Sequence, residues 1–195
     1  HLIRRSAQDA DQIDKLGKIA TAGHHLLSVI NDILDFSKIE AGKLAIHPAP
    51  FNPASVIMET MKLFSPKAQQ KNINVSVNVP PDAQTLVLGD AGRIRQVLSN
   101  LLSNAIKFTD KGGVQIHIKA KQDILKIAII DTGCGIPADR QEKIFEKFTQ
   151  ADSSTTRKFG GTGLGLAISK QLALLMGGEV GVSSQLGKGS LFWFT

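Results

Sequence analysis

A glycine-rich stretch, Phe159-Gly160-Gly161-Thr162-Gly163-Leu164-Gly165-Leu166-Ala167-Ile168, comes directly before an apolar segment. From Leu164 to Leu175, leucine and isoleucine recur at intervals that favour a helix, which argues against a flexible linker. A glycine-rich loop at a helix N-terminus presents unpaired backbone N–H groups and the positive end of the helix dipole. The stretch therefore predicts a phosphate-binding loop followed by a helix over residues 163–176.

Two common phosphate-binding motifs do not fit this stretch. The P-loop of many ATPases needs Gly-Lys-Ser/Thr at a fixed distance after a glycine, and that tripeptide is absent here. The Rossmann fingerprint needs a strand–loop–helix frame and a distal acid for the ribose, whereas Leu166-Ala167-Ile168 follows here without either. The glycine-rich loop therefore belongs to a different class of nucleotide site.

Upstream, the apolar run Ile127-Ala128-Ile129-Ile130 leads into Asp131-Thr132-Gly133-Cys134-Gly135-Ile136-Pro137. A buried strand thus delivers an aspartate to a turn whose glycines allow the backbone to approach a ligand closely. An ordinary turn, in which Asp131 accepts local N–H groups, explains the same residues equally well.

Residues 91–107 predict an amphipathic helix with an unusual polar face. Its apolar arc holds Ile94, Val97, Leu98, Leu101, Leu102 and Ala105. The opposite arc holds Arg93, Asn100, Asn104 and Lys107. Asparagine is a poor residue for a helix interior, but its amide oxygen suits Mg²⁺, as a lysine suits phosphate. A solvated helix surface remains the alternative explanation.

The remaining pattern predicts a two-layer α/β sandwich preceded by a long amphipathic helix over residues 9–41. Gly42 is a plausible end for that helix, and the proline-rich segment 47–53 is a plausible domain boundary. Further helices are predicted at 54–70, 91–107 and 163–176, and strands at 73–79, 86–88, 114–118, 125–130, 180–182 and 191–194. We expect two parts, residues 1–45 and residues 46–195.

Composition excludes several classes of protein. The single cysteine, Cys134, rules out an internal disulfide framework. No apolar run reaches the roughly 20 residues of a transmembrane helix, so no membrane contact is expected. A net charge of +6 suits an anionic ligand, but no nucleic-acid-binding motif accompanies it.

Taken in order, the motifs resemble those of the catalytic domain of bacterial sensor histidine kinases. They are Asn100-Leu101-Leu102-Ser103-Asn104-Ala105-Ile106-Lys107-Phe108-Thr109, Asp131-Thr132-Gly133-Cys134-Gly135-Ile136, Phe145-Glu146-Lys147-Phe148, Gly161-Thr162-Gly163-Leu164-Gly165-Leu166 and Gly187-Lys188-Gly189-Ser190. The segment from Asn31 to Gly42 resembles the end of that family's dimerisation hairpin, so the likeness covers nearly the whole chain. It implies a Bergerat-type ATP-binding fold, with a mixed sheet covered by helices.

The resemblance also implies roles for individual residues. Asp131 would accept a hydrogen bond from the adenine amino group, and Asn104 would ligate Mg²⁺ with Asn100 beside it. Lys107 would reach the phosphates. Residues 149–160 would form a mobile lid, anchored by burial of Phe145 and Phe148. The other implied nucleotide contacts are Gly133, Gly135, Ile136, Arg157, Lys158, Gly161, Thr162, Gly163, Leu164, Gly165 and Leu166.

Two departures from related patterns bear on the chemistry. The family's acceptor histidine is followed by an acidic residue and an Arg-Thr-Pro-like run, and none of the five histidines here has that context. We therefore expect the acceptor, with most of the hairpin's first arm, to lie outside this chain, which should not phosphorylate itself alone. The gyrase, chaperone and mismatch-repair ATPases carry a catalytic glutamate where this chain has Asn100, and an amide cannot take a proton at neutral pH.

The resemblance implies a cytoplasmic histidine kinase, or the cytoplasmic part of a membrane-anchored receptor. Its cofactors would be ATP and Mg²⁺, and its partners a second copy of the kinase and the receiver domain of a response regulator. A nucleotide-binding scaffold that transfers no phosphate and a Bergerat-fold ATPase are the alternatives. No nucleic-acid partner is expected.

Overall fold

The computed structural model describes residues 10–80, 85–149 and 163–195. The chain divides into two compact units, His1–Leu44 and Ala45–Thr195.

The first unit contains the long helix α1, Ala10–Glu40, which confirms the predicted amphipathic helix. It ends in a Schellman motif, in which Gly42 N–H donates to Ile39 O at 3.0 Å and Lys43 N–H to Lys38 O at 2.8 Å. Gly42 has a φ of +63°, a conformation that glycine adopts without strain. Large apolar side chains of α1 are exposed in the single chain: Ile13, Ile19, Leu26, Leu27, Ile30, Ile33 and Leu34.

The second unit alternates helices and strands. Its helices are α2, Pro53–Gln70, α3, Ala91–Phe108, and α4, Gly165–Leu175, with short 3₁₀ turns at Ala138–Arg140 and Lys143–Phe145. Its strands are β1, Ala49–Phe51, β2, Asn74–Asn78, β3, Val87–Gly89, β4, Gly113–Lys121, β5, Ile124–Asp131, β6, Val180–Gln185, and β7, Gly189–Phe194. The predicted helices and strands are confirmed, with ends shifted by a few residues.

The main sheet has five strands in the order β2-β4-β5-β7-β6. Strand β2 pairs with β4 in parallel, and the other pairs are antiparallel, so the sheet is mixed. In this register Asp131, the last residue of β5, lies between Val114 of β4 and Ser190 of β7. The topology therefore places the aspartate at the end of the central strand.

The core lies between this sheet and the helices. Every second residue of β4 is buried, namely Val114, Ile116 and Ile118, as are Ile127 and Ile129 of β5. All six residues of the apolar arc predicted for α3 are buried, together with Ile106. Each such side chain contributes about 1.5–3 kcal/mol to folding. The two-layer α/β architecture is confirmed, and α3 is its central helix.

Strand β1 was not expected, because it lies within the proline-rich segment 47–53 that suggested a boundary. It pairs with β3 antiparallel, with Pro50 opposite Leu88. Proline is tolerated there because an edge strand needs no N–H on its outer side. Gly89 of β3 packs against Phe51, whose ring would lie 3.0 Å from a Cβ at that position. Sequence periodicity cannot reveal so short a strand.

Asp90 fixes the start of α3. One carboxylate oxygen accepts the N–H of Arg93 at 3.0 Å as an N-cap, and the other accepts the N–H of His47 at 3.0 Å. Burial alone would raise the pKa of Asp90, but these N–H groups and the charge of Arg93 outweigh it and lower that pKa.

Asp90→Ala should lower the free energy of unfolding by about 1–2 kcal/mol, the usual contribution of an N-cap. Because the pKa of Asp90 is lowered in the folded state, its contribution is present above the ordinary value of 3.8 and is lost as the pH falls below it. Urea denaturation at pH 7 measures the effect, with the exposed Asp110→Ala as control. Equal stabilities for the two variants would contradict the assigned cap.

Candidate functional site

Three sequence motifs meet at the C-terminal end of α3. The carbonyl oxygen of Phe108, the last residue of α3, accepts the N–H of Cys134 at 3.3 Å. The carbonyl oxygen of Cys134 in turn accepts the N–H of Gly187 at 2.7 Å. The Asn-rich helix, the turn after Asp131 and the turn at Gly187–Ser190 are thus joined through backbone hydrogen bonds.

Asp131 carries a buried carboxylate at the end of the central strand β5. It is only 6% exposed, and one carboxylate oxygen accepts the N–H of Gly133 at 2.8 Å. Burial raises the pKa of Asp131, although the backbone N–H groups of Gly133 and Ser190 partly oppose this effect. The local hydrogen bond expected of an ordinary turn is therefore present, but a solvated turn would not bury the carboxylate.

Gly133 and Gly135 are required by the protein's own backbone. A Cβ on Gly133 would lie 2.5 Å from the carbonyl oxygen of Phe108. Gly135 has a φ of +70°, and a Cβ there would lie 2.1 Å from the carbonyl oxygen of Gln185. These glycines let the turn fit between α3 and β6. Ile136, which follows them, is half-buried.

The two asparagines of α3 have different environments. Asn100 donates its amide N–H groups to the carbonyl oxygen of Gly165 at 3.1 Å and to Ser169 Oγ at 3.3 Å. Its side chain therefore joins α3 to the first turn of α4. Asn104 lies one turn further along α3 and is half-buried. The alternative explanation, a solvated helix surface, therefore does not fit Asn100, whose side chain holds two helices together.

Lys107, in the last turn of α3, is half-buried. Burial lowers the pKa of Lys107, and the positive charge of Lys67 on α2 lowers it further. Its ammonium lies 4.8 Å from the centre of the Phe108 ring. A nearby anion would relieve both the burial cost and the repulsion between the two lysines, so this end of α3 favours an anionic ligand.

The described part of the glycine-rich loop begins at Gly163. Its φ is +71°, and a Cβ there would lie 3.0 Å from the Phe148 backbone. Leu164 is a buried core residue, and Leu166 is half-buried in the first turn of α4. Because Asn100 contacts Gly165, the N-terminus of α4 lies beside the polar face of α3. Arg157, Lys158, Gly161 and Thr162 lie outside the described residues, as does all of the predicted lid after Thr149.

The two phenylalanines expected to anchor the lid differ. Phe145 is half-buried and contacts Phe192 edge to face, with ring centroids 6.4 Å apart. Phe148 is 70% exposed, so the prediction that it is buried is wrong. The close approach of Gly163 is to the Phe148 backbone.

A polar network that the sequence did not predict lies behind the Asp131 turn. Ser184 Oγ accepts the N–H of Ile136 at 2.8 Å and lies 2.9 Å from Ser190 Oγ. Gln141 Nε2 donates to the carbonyl oxygens of Ile136 at 3.1 Å and Ser184 at 2.8 Å. Isolated serine and glutamine residues carry no sequence signal for such a role.

A depression of about 460 Å³ borders Asp131. Its walls come from the ends of β5, β6 and β7, including Ile130, Ser183 and Leu191. Neither Asn104 nor Lys107 lines this depression, so it is not the site of an anion bound at the C-terminal end of α3.

Within residues 10–80, 85–149 and 163–195, no cluster of three or more His, Cys, Asp or Glu side chains could hold a metal ion. A metal at α3 would therefore be bound by amide and ligand oxygens, which is a donor set that suits Mg²⁺ together with a nucleotide. None of the described helices is both long and apolar enough to cross a membrane.

The family of this chain follows from its similarity to known proteins. Residues 89–195 match the family model described as histidine kinase-, DNA gyrase B- and HSP90-like ATPase. The chain is 43% identical to the sensor protein GacS of Pseudomonas syringae pv. syringae, over 100% of this chain and 22% of that protein. It is 40% identical to the histidine-protein kinase BarA of Escherichia coli K12, over 94% of this chain and 20% of that protein. It therefore spans about a fifth of the length of these relatives.

Solved structures show the same likeness. Full-length ShkA in complex with AMPPNP superposes with a TM-score of 0.81 and 36% identity, over 99% of this chain and 40% of that one. The catalytic domain of the histidine kinase ThkA superposes with a TM-score of 0.65 and 29% identity, over 77% of this chain and 94% of that one. Its mixed sheet and helices are thus the Bergerat fold, and the chain belongs to the histidine kinase-, DNA gyrase B- and HSP90-like ATPase family, in which it is similar to the catalytic domains of sensor histidine kinases.

Proposed function

We propose that the end of α3 and the turn after Asp131 bind Mg-ATP and present its γ-phosphate to a histidine. The observation that carries this proposal is the buried Asp131 carboxylate, joined through the backbone of its turn to the helix that bears Asn104 and Lys107. The AMPPNP bound in the similar ShkA structure supports a nucleotide as the ligand.

Asp131 would recognise the base. A carboxylate accepts hydrogen bonds, so it matches the amino group of adenine, whereas guanine places a carbonyl oxygen at that position. Gly133 holds the carboxylate in place through its N–H at 2.8 Å. Gly135 and Ile136 would border the base, since they continue the same turn.

Asn104 and Lys107 would bind the metal and the phosphates. The amide oxygen of Asn104 would be a neutral ligand of Mg²⁺, and Lys107 would neutralise phosphate charge. Asn100 would act mainly by holding α4 beside α3, so that the N-terminal N–H groups of α4 face the phosphates. Arg157 and Lys158 would contact the γ-phosphate from the lid.

The acceptor would be a histidine of the hairpin to which α1 belongs, in a kinase that dimerises through it and passes the phosphoryl group to a response-regulator receiver domain. The names of the relatives and the exposed apolar stripe of α1 support this assignment. Residues 1–45 would then be the second arm of the hairpin and residues 46–195 the catalytic domain. In this chemistry the protein binds, orients and neutralises the triphosphate, while the histidine supplies the nucleophile.

The chain should bind ATP about ten-fold or more tightly than GTP. With GTP, the guanine oxygen and the Asp131 carboxylate would face each other as two acceptors, and an unpaired buried polar group costs about 1–3 kcal/mol. Calorimetric titration of the chain with each nucleotide in excess Mg²⁺ measures the preference. Equal affinities would contradict the role of Asp131.

The variant Asp131→Asn distinguishes a loss of ATP binding from a loss of folding. Because the pKa of Asp131 is raised in the folded state, the folded protein binds more protons than the unfolded one, and its stability falls as the pH rises through that pKa. The ionised carboxylate therefore destabilises the fold at neutral pH. The variant should lose ATP affinity while remaining at least as stable at pH 7, and its stability advantage should shrink toward pH 4.

Asn104→Ala should weaken Mg-ATP binding by about ten-fold or more, because a contact with a charged group contributes about 1.5–3 kcal/mol. Adenosine binding should change little, since the base contact is intact. Titrations with both ligands measure this, and Asn78→Ala on the exposed side of β2 is the matched control. If Mg-ATP affinity and its metal dependence survive in Asn104→Ala, the metal assignment fails.

Incubation with γ-labelled ATP should leave the chain without acid-labile phosphate. No histidine here lies in an acceptor context, and Asn100 cannot activate water as a base. Acid-stability analysis of the labelled protein tests this expectation. Stoichiometric label at His24 or His25 would show that the acceptor lies within this chain.

A further inference from the structure

Lys71 belongs to none of the nucleotide motifs, yet its side chain ends against the last turn of α3. Its ammonium donates to three carbonyl oxygens, those of Ile106 at 2.9 Å, Lys107 at 2.8 Å and Thr109 at 3.0 Å. An ammonium has three N–H donors, so all of them are used. The half-buried Lys71 thus binds one helix end with its full hydrogen-bonding capacity.

These bonds complete the hydrogen bonding of that helix end. The last four carbonyl groups of a helix have no partner within it. In α3, Ala105 O accepts the N–H and the hydroxyl of Thr109, and Phe108 O accepts the N–H of Cys134. The two carbonyl groups between them, those of Ile106 and Lys107, are bound by Lys71. The positive charge also lies at the negative end of the helix dipole, where it is stabilising.

The backbone of Lys71 is itself fixed. Lys71 caps the end of α2, and its N–H donates to Ala68 O. Asn72 then takes a φ of +56°, and Ile73 N–H returns to the same Ala68 O at 2.9 Å before β2 begins. The ammonium is therefore carried by a rigid turn.

We propose that Lys71 is a positioning residue for phosphate binding, which acts by holding the backbone of Lys107 so that the Lys107 side chain meets the triphosphate. This inference rests on the proposed function of the site. One of the three bonds goes to the carbonyl group of Lys107, so Lys71 contacts the very residue assigned to the phosphates. Without this ammonium, the last turn of α3 loses the partners of two carbonyl groups and frays, and Lys107 is no longer held in one place.

A double-mutant cycle tests this inference. Lys71→Met keeps the length of the side chain and removes its donors, and Lys107→Met removes the phosphate contact. Lys119→Met, at an exposed position of β4, is the charge-matched control. Mg-ATP and adenosine affinities of the full 195-residue chain are measured by calorimetry well below the melting temperature of each variant.

Lys71→Met should weaken Mg-ATP binding by about five-fold to ten-fold and adenosine binding by less than about two-fold, and its effect on Mg-ATP should vanish when Lys107 is already methionine. Lys119→Met should change neither affinity by more than about two-fold. The inference is overturned if Lys71→Met weakens Mg-ATP and adenosine binding equally, or if it still weakens Mg-ATP binding when Lys107 is already methionine. Lys71 would then be a general stabilising residue.

If Lys71→Met does not fold, Lys71→Gln, which retains an amide donor, replaces it in the double-mutant cycle, and the same affinities are measured and compared. If the parent chain does not bind Mg-ATP, or Lys107→Met binds it normally, the proposed function fails and this inference fails with it. If both behave as proposed and only the coupling is absent, this inference alone is wrong.

Discussion

The hydrogen bond from Cys134 N–H to the carbonyl oxygen of Phe108 is the contact on which the candidate site depends. It joins the end of α3 to the turn after β5. Asn104 and Lys107, assigned to the metal and the phosphates, are thereby held near Asp131, which is assigned to the base. This hydrogen bond exists only because Gly133 lacks a Cβ, which would lie 2.5 Å from the same oxygen. The neighbouring carbonyl groups are held by Lys71 and Thr109, so the whole helix end is fixed from three directions.

Two residues of the proposed site lie in environments that are unfavourable for their charges. Asp131 is buried and its pKa is raised, which means that the folded chain keeps a carboxylate where an uncharged residue would be more stable. Lys107 is similarly half-buried, near the charge of Lys67. Both features are unfavourable in the free protein and would become favourable in the proposed complex, where adenine would donate to the carboxylate and phosphate would neutralise the lysines.

Periodicity and motif order were sufficient to predict the long helix, the layered α/β fold and the motifs that meet at α3. They could not show that Asn100 binds α4, because spacing on a helix places a side chain on a face without naming its partner. The family resemblance implied a buried Phe148, but its side chain is exposed and its backbone lies against Gly163. The sequence pattern does not predict strand β1, the role of Lys71 or the Ser184–Gln141 network, because all three depend on contacts between residues far apart in sequence.

An amide-resolved NMR titration with Mg-AMPPNP locates the ligand without altering the protein, and so tests whether the end of α3 and the turn after Asp131 form the nucleotide site. We expect saturable shifts centred on the amides of Lys107, Phe108 and residues 131–136, with smaller changes in the first turn of α4. Shifts confined to residues 183–191, at the ends of β6 and β7, or no saturable shifts at all, would contradict this assignment.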